Sequence, residues 1–407
     1  VSDTGLDRTW HPGIEALRGM AAAVVVVHHL WSLSNMPRFT GYWLVEGFGT
    51  FGVDLFFLLS GYLLCDSFWK AGWSLRTYTI RRLYRIVPAY YATVAILFLF
   101  FSPPASLWSE FGLRQTLANL TFTHYWFPTR SSSFGVNGAL WTLSIEMVLY
   151  VVMPILALAF LRFPKLTFVI GCGAGVVWRL LTVHEHELLY DIYFRIAPDF
   201  DRQIGSLFIA RQFIGYLPVF LIGIAVRRLV LSGRLDRMRT WRISDGGLLA
   251  MTGLLAASSM WLVFVERASN YQHWWWFTFW EYVLVVFQVP ALLMAWACRM
   301  ETTPALARKV SLWLGERGYG LYLWHFPLIL VFYGRDATLY PPDTSMWFAK
   351  IVVICALALL LAHLSFVWIE RPMQESGRRR VKRKPADARV DPPVATRAES
   401  PRETPIG

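Results

Sequence analysis

The stretch Gly13-Ile-Glu-Ala-Leu-Arg-Gly-Met-Ala-Ala-Ala-Val-Val-Val-Val-His-His-Leu30 decides the fold. It is apolar for about the length a helix needs to cross a bilayer, yet it carries a carboxylate, a guanidinium and two imidazoles. On a helix, at roughly 100° per residue, Arg18 and His29 lie about 20° apart, with Glu15 about 40° from His29 on the other side. His28 is about 80° away from Arg18. Glu15, Arg18 and His29 therefore form one stripe, and His28 lies off it. At 1.5 Å per residue, His29 stands about 16 Å from Arg18 along the axis. The run Ala21–Ala23 lets a neighbouring helix approach closely. Charges inside a bilayer are costly and by default mark a functional site. The alternative on spacing alone is a snorkelling arginine and an interfacial histidine.

The rest of the chain matches this segment. Of 407 residues, 56% are hydrophobic and only 16% are charged. An ordinary soluble surface needs more charge than that, so a soluble enzyme is excluded, as are disorder, collagen and coiled coil for the bulk of the chain. Twenty tryptophans fit the aromatic belts of a membrane protein. The net charge of +12 would suggest nucleic acid in a soluble chain. Here the cations sit in the connections between apolar segments, so no nucleic-acid partner is expected. Cys65, Cys172, Cys298 and Cys355 all lie in apolar runs and show neither disulfide nor zinc spacing. No metal site is expected. The N-terminus lacks the pattern of a cleaved signal peptide.

Ten apolar segments are expected to span the membrane: 13–33, 48–68, 87–101, 139–161, 166–183, 205–226, 244–265, 279–298, 312–332 and 347–369. The fold class is all-α, a polytopic membrane bundle in the plasma membrane. Lys and Arg concentrate in alternate connections, which places both termini in the cytoplasm. Residues 1–12 form a cytoplasmic segment and 13–372 the membrane domain. Residues 373–407 read as a disordered basic tail that anchors topology beside anionic lipid and is dispensable for chemistry. The outer connection 102–138 is long enough to cover a site.

Further polar groups lie in the apolar segments. Asp54 and Ser60 sit in the second, where helix packing explains them as well as catalysis does. Arg81, Arg82 and Arg85 make a phosphate clamp, or serve only as positive-inside topology signals. Glu146 lies one to two turns into the fourth segment, with Tyr150 four residues on. Arg179 is a candidate ion partner for a buried carboxylate. His325, just before Phe326-Pro327, is a second intramembrane histidine. These residues fit an enzyme whose donor is an anionic, phosphate-bearing molecule, and fit a proton-coupled transporter almost as well.

Five motifs in order resemble acyltransferase family 3, the bacterial membrane O-acyltransferases of saccharides, glycolipids and macrolides. They are the Arg-X10-His of Arg18 and His29, Phe56-Phe-Leu-Leu-Ser-Gly61, Arg81-Arg-Leu-Tyr-Arg-Ile-Val-Pro88, Trp141-Thr-Leu-Ser-Ile-Glu146 and Tyr322-Leu-Trp-His-Phe-Pro327. The resemblance runs from Gly13 to Pro372. Glu15 and Ala16 stand where the family often has Asp and Gly, and Gly318 and Gly320 replace its usual serines. No SGNH hydrolase-like domain follows, so the chain reads as the stand-alone form.

The resemblance implies transfer of an acyl group, most often acetyl, from cytoplasmic acyl-CoA to a sugar hydroxyl. No bound cofactor is expected; acyl-CoA is a substrate. His29 is then the general base or a transient acyl carrier. Glu15 and Arg18 tune the stripe or meet the donor. Arg81, Arg82 and Arg85 hold the CoA phosphates. Asp54, Ser60, Trp141, Glu146, Tyr322 and His325 form a second tier. The expected acceptor is a cell-envelope glycolipid or polysaccharide. A macrolide or other natural product is the alternative acceptor, and a permease or flippase the alternative class.

Overall fold

A computed structural model of the chain describes residues 12–34, 42–70, 72, 74–101, 109–126, 137–184, 208–231, 305–334 and 344–382. All regular structure among the described residues is helical. In chain order the α-helices are α1 (Pro12–Leu33), α2 (Tyr42–Lys70), α3 (Leu75–Phe101), α4 (Glu110–Leu120), α5 (Trp141–Arg162), α6 (Pro164–His184), α7 (Phe213–Leu231), α8 (Ala305–Tyr333), α9 (Thr344–Ser365) and α10 (Arg371–Lys382). A 3-10 turn, Gly138–Leu140, leads into α5, and a π turn, Phe366–Glu370, joins α9 to α10.

The expected segments fall on these helices, except 244–265 and 279–298, which lie outside the described residues. Among the described residues, six segments are long and apolar enough to cross a membrane. The expected ten is therefore not reached within them. Their outward faces are oily: Val151 and Ile155 on α5, Val169 and Ile170 on α6, and Phe348 and Val352 on α9 are exposed, as lipid-facing residues are.

Several boundaries differ from the sequence reading, and two of them bear on the site. The third helix begins at Leu75, not at 87, because Ser74 caps it: the Thr77 N–H donates to Ser74 Oγ at 3.3 Å. The three arginines are thus inside a helix. The segment from 373 is helical as far as Lys382. Its composition resists burial, but one face docks on α3. Gly377 packs on Tyr84, where an added Cβ would come 2.8 Å from the Tyr84 Cβ, and the Arg380 guanidinium lies 5.3 Å from the Tyr84 ring. Residues 383–407 of the expected tail lie outside the described residues.

The packing order sets the relative direction of the helices. Gly19 meets Gly315, Ala22 meets Gly318 and His29 meets His325, so α1 and α8 run parallel. A Cβ on Gly19 would come 2.7 Å from the Gly315 nitrogen, so these two backbones are in direct contact. On α2 and α7, Phe57 stacks on Tyr216, Gly61 meets Phe220 and Asp66 pairs with Arg227, again parallel. His28 faces Val45 and Gly49, so α1 and α2 are antiparallel.

Two prolines leave helical carbonyls without their usual partner four residues on, and side chains take their place. Pro327 frees the Leu323 carbonyl, and Asn137 Nδ2 donates to it at 3.0 Å. Pro154 frees the Tyr150 carbonyl, and the Tyr78 hydroxyl donates to it at 3.1 Å. These bonds tie the start of α5 to α8 and the middle of α5 to α3.

Candidate active site

The seam between α1 and α8 carries the candidate site. At one end, Arg18 donates to Glu15 Oε1 at 2.7 Å. Both line a cavity of about 740 Å³. Its walls hold seven arginines (18, 81, 82, 85, 317, 371 and 378) against four carboxylates (Glu15, Asp66, Glu316 and Glu375). The cavity is cationic and suits a multiply charged anion. Arg82 is held by a bond from Nη2 to the Leu63 carbonyl, 3.1 Å.

A narrow recess of about 30 Å³ extends inward from the same arginines. It is lined by Phe56, Ser60, Glu146, Tyr150 and Tyr319 among others. Glu146 is 4% exposed. Its Oε1 accepts from Ser60 Oγ at 3.0 Å and from the Tyr150 hydroxyl at 2.5 Å. The Glu146 carboxyl is therefore both hydrogen-bonded and in the wall of the recess. Phe56 stacks on Tyr322, whose ring lies 5.7 Å from that of His325. The Tyr322 hydroxyl is fixed by Thr142 at 2.5 Å and by the Ala139 carbonyl.

Farther along α1, His29 Nδ1 lies 2.8 Å from His325 Nε2. His325 is fully buried, and its Nδ1 lies 3.1 Å from the Leu321 carbonyl. A carbonyl only accepts, so His325 carries its proton on Nδ1. With both rings neutral, His325 Nε2 accepts from His29 Nδ1–H. That leaves the lone pair of His29 Nε2 without a donor among the described residues. His29 is only half-buried. A half-open imidazole with its second nitrogen held is the arrangement a general base or nucleophile needs. His28 is placed differently: its Nδ1 lies 3.3 Å from the Val45 carbonyl and its ring abuts Gly49.

The structure thus brings Glu15, Arg18, Arg81, Arg82 and Arg85 to one cavity, Ser60 and Glu146 to its inner recess, and Tyr322, His325 and His29 beyond it. Asp54 is buried but lines neither the cavity nor the recess. Trp141 also lines neither; it packs between Tyr125 and Tyr216 with Arg211 over its ring. Arg179 lies over Tyr216, and the Glu146 bonds go to Ser60 and Tyr150 instead.

Sequence reasoning missed several groups. Asp66 and Arg227 form a buried ion pair, with Arg227 Nη1 donating to the Tyr62 hydroxyl at 3.1 Å. Each sits at the end of an apolar run, which is a signal, but at that position Arg227 reads as one more cation of the connections. Arg317 lies between the rings of Trp313 and Phe366, at 4.6 and 4.7 Å, and donates to His363 Nδ1 at 3.0 Å. Nothing local in the sequence marks this.

The chain matches, over residues 11–366, the family model described as an acyltransferase domain. It belongs to acyltransferase family 3. With six apolar helices of spanning length among the described residues, it is a multi-pass membrane protein. The peptidoglycan O-acetyltransferase of Listeria monocytogenes is 27% identical, over 92% of this chain and 57% of that protein. A Bacillus subtilis protein provisionally named a peptidoglycan O-acetyltransferase is 26% identical, over 92% of this chain and 56% of its own. A Staphylococcus aureus protein provisionally named an O-acetyltransferase is 23% identical, over 90% and 58%. The chain thus spans little more than half the length of these relatives. No solved structure matches it at a significant level.

Proposed function

We propose that this protein is a membrane O-acyltransferase that moves an acetyl group from acetyl-CoA to a sugar hydroxyl of a cell-wall saccharide. The observation that carries the reading is the α1–α8 seam, with an arginine-walled cavity at one end and the His29–His325 pair at the other. Family membership and the peptidoglycan O-acetyltransferase relatives support the reaction class and the acceptor class.

The donor enters the cavity with its phosphates among Arg81, Arg82 and Arg85, while Arg18, oriented by Glu15, faces it from α1. His29 is about 16 Å farther along α1. The pantetheine arm must therefore pass Ser60, Glu146 and the Phe56–Tyr322 stack, and the recess of about 30 Å³ has to widen to admit it. At the far end, His29 Nε2 takes the proton of the acceptor hydroxyl. The oxygen attacks the thioester carbonyl, the C–S bond breaks, and the thiolate leaves and receives that proton. The products are an O-acyl sugar and CoA. His325 positions the reacting ring by accepting its Nδ1–H. If His29 instead carries the acyl group transiently, the same geometry serves with Nε2 as nucleophile.

Ten spans with both termini in the cytoplasm fit this scheme. Parallel α1 and α8 require an even number of crossings between α7 and α8, given the five long helices α2, α3, α5, α6 and α7 between them. The apolar segments 244–265 and 279–298 supply two. The Lys/Arg bias puts the arginine-walled cavity on the cytoplasmic side, where acyl-CoA is made.

The test is acetyl-CoA consumption by the purified protein in liposomes, with muropeptide fragments as acceptor. Thiol release that depends on the acceptor, with an acetyl increment on the muropeptide, is expected. Saccharide uptake without thiol release would identify a transporter instead.

A further inference from the structure

We propose that the C-terminal helix α10 is part of the donor site, and that Arg378 on it is a phosphate ligand. This goes against the reading of residues beyond 372 as a mere topology anchor, and it rests on the donor being an acyl-CoA.

The observation is a side recess of the cationic cavity, about 350 Å³ in volume. It is lined by Ser67, Arg81, Arg82, Arg85, Gln374 and Arg378. The main cavity mixes arginines with carboxylates, whereas no carboxylate among the described residues lines this recess. Four guanidiniums of like charge around one space repel one another, and an anion between them removes that repulsion. The buried Nε–H groups of Arg81 and Arg82 have no acceptor among the described residues. Buried donors of this kind are normally satisfied, and an oxyanion is the acceptor that a cluster of guanidiniums takes. Arg378 itself forms no ion pair among the described residues; Glu375, its neighbour on the helix, pairs with Arg371 at 3.2 Å.

The fold fixes Arg378 there. The π turn carries α9 into α10, and Gly377 brings α10 against Tyr84 with no room for a side chain. Arg380 seals the contact by lying over the Tyr84 ring. Tyr84 sits between Arg82 and Arg85, so the residue after Gly377 is delivered to the arginine cluster. A phosphomonoester and a diphosphate are the groups such a cluster recognises, and both occur at the nucleotide end of CoA.

The experiment measures binding of CoA and of inorganic pyrophosphate to the full-length protein in detergent. Three proteins are compared: wild type, Arg378→Gln and Arg379→Gln. Arg379 lies on the same helix and lines neither cavity, so its loss controls for bulk charge. Wild type is expected to bind pyrophosphate in competition with CoA. Arg378→Gln is expected to lose roughly ten- to a hundredfold in affinity for both, the range of one charge-assisted contact, while Arg379→Gln stays near wild type. Equal losses in the two variants, or CoA binding indifferent to Arg378, would overturn the proposal while leaving the donor reading intact. Arg378-dependent pyrophosphate binding without CoA binding would keep the anion site and reject acyl-CoA as donor. Binding of neither probe to wild type would reject both.

Discussion

Replacing His325 by Leu tests whether the imidazole pair works as a unit. In the resting state the bond from His29 Nδ1–H to His325 Nε2, at 2.8 Å, joins two neutral rings and is worth about 0.5–1.5 kcal/mol. When His29 takes the acceptor's proton the same bond becomes charge-assisted, worth about 1.5–3 kcal/mol. The difference, about 1–1.5 kcal/mol, exists only as the reaction proceeds and corresponds to roughly tenfold in kcat. Loss of ring orientation adds to this, so a ten- to hundredfold fall is expected for His325→Leu. The Leu321 carbonyl keeps its helical backbone donor four residues on, so the variant should still fold. His325→Gln offers an amide oxygen to the same Nδ1–H and should recover part of the rate. His29→Ala should cost the roughly 10²–10⁴-fold of general acid–base catalysis. The double variant should be no slower than His29→Ala alone. The assay is acetyl transfer by purified, correctly inserted protein. A wild-type rate for His325→Leu, or losses that multiply in the double variant, would refute the coupling.

Other outcomes follow from the packing. His28→Ala should leave transfer near the wild-type rate, since that ring packs on α2; a loss matching His29→Ala in the same assay would show the α1 phase to be misassigned. Asn137→Ala leaves the Leu323 carbonyl buried without a donor and should cost about 1–3 kcal/mol, read as a lower melting temperature in detergent. Arg227→Ala breaks the buried ion pair with Asp66 and should lower the melting temperature in detergent, whereas replacing both by apolar residues should recover part of the loss. A reporter fused after Gly407 should report the cytoplasm; an outside signal would overturn the even number of spans.

The sequence made the helices legible because apolar runs of spanning length have few other uses. It also made the stripe legible, since helical phase alone separates His29 from His28. It could not pair His29 with His325, because that bond depends on α1 and α8 meeting through Gly19 and Gly315, across nearly the whole chain. The start of α3 was missed because Arg76, Arg81, Arg82 and Arg85 lower its hydropathy, though Ser74 is a clear cap. The helical course of α10 was missed because its composition is that of a solvated tail; Gly377 against Tyr84, with Arg380 over the same ring, docks it on α3. Asp66 and Arg227 were visible as charges at the ends of apolar runs, but their partnership is tertiary.

The most direct test of the central claim follows an isotope-labelled acetyl group. The purified protein is loaded with labelled acetyl-CoA, muropeptide is added, and the label is traced to saccharide, protein or free acetate. Label on a saccharide hydroxyl with wild type, arriving roughly 10²–10⁴-fold more slowly with His29→Ala, is the predicted result. Label that never reaches the saccharide, or reaches it equally with His29→Ala, would contradict the account.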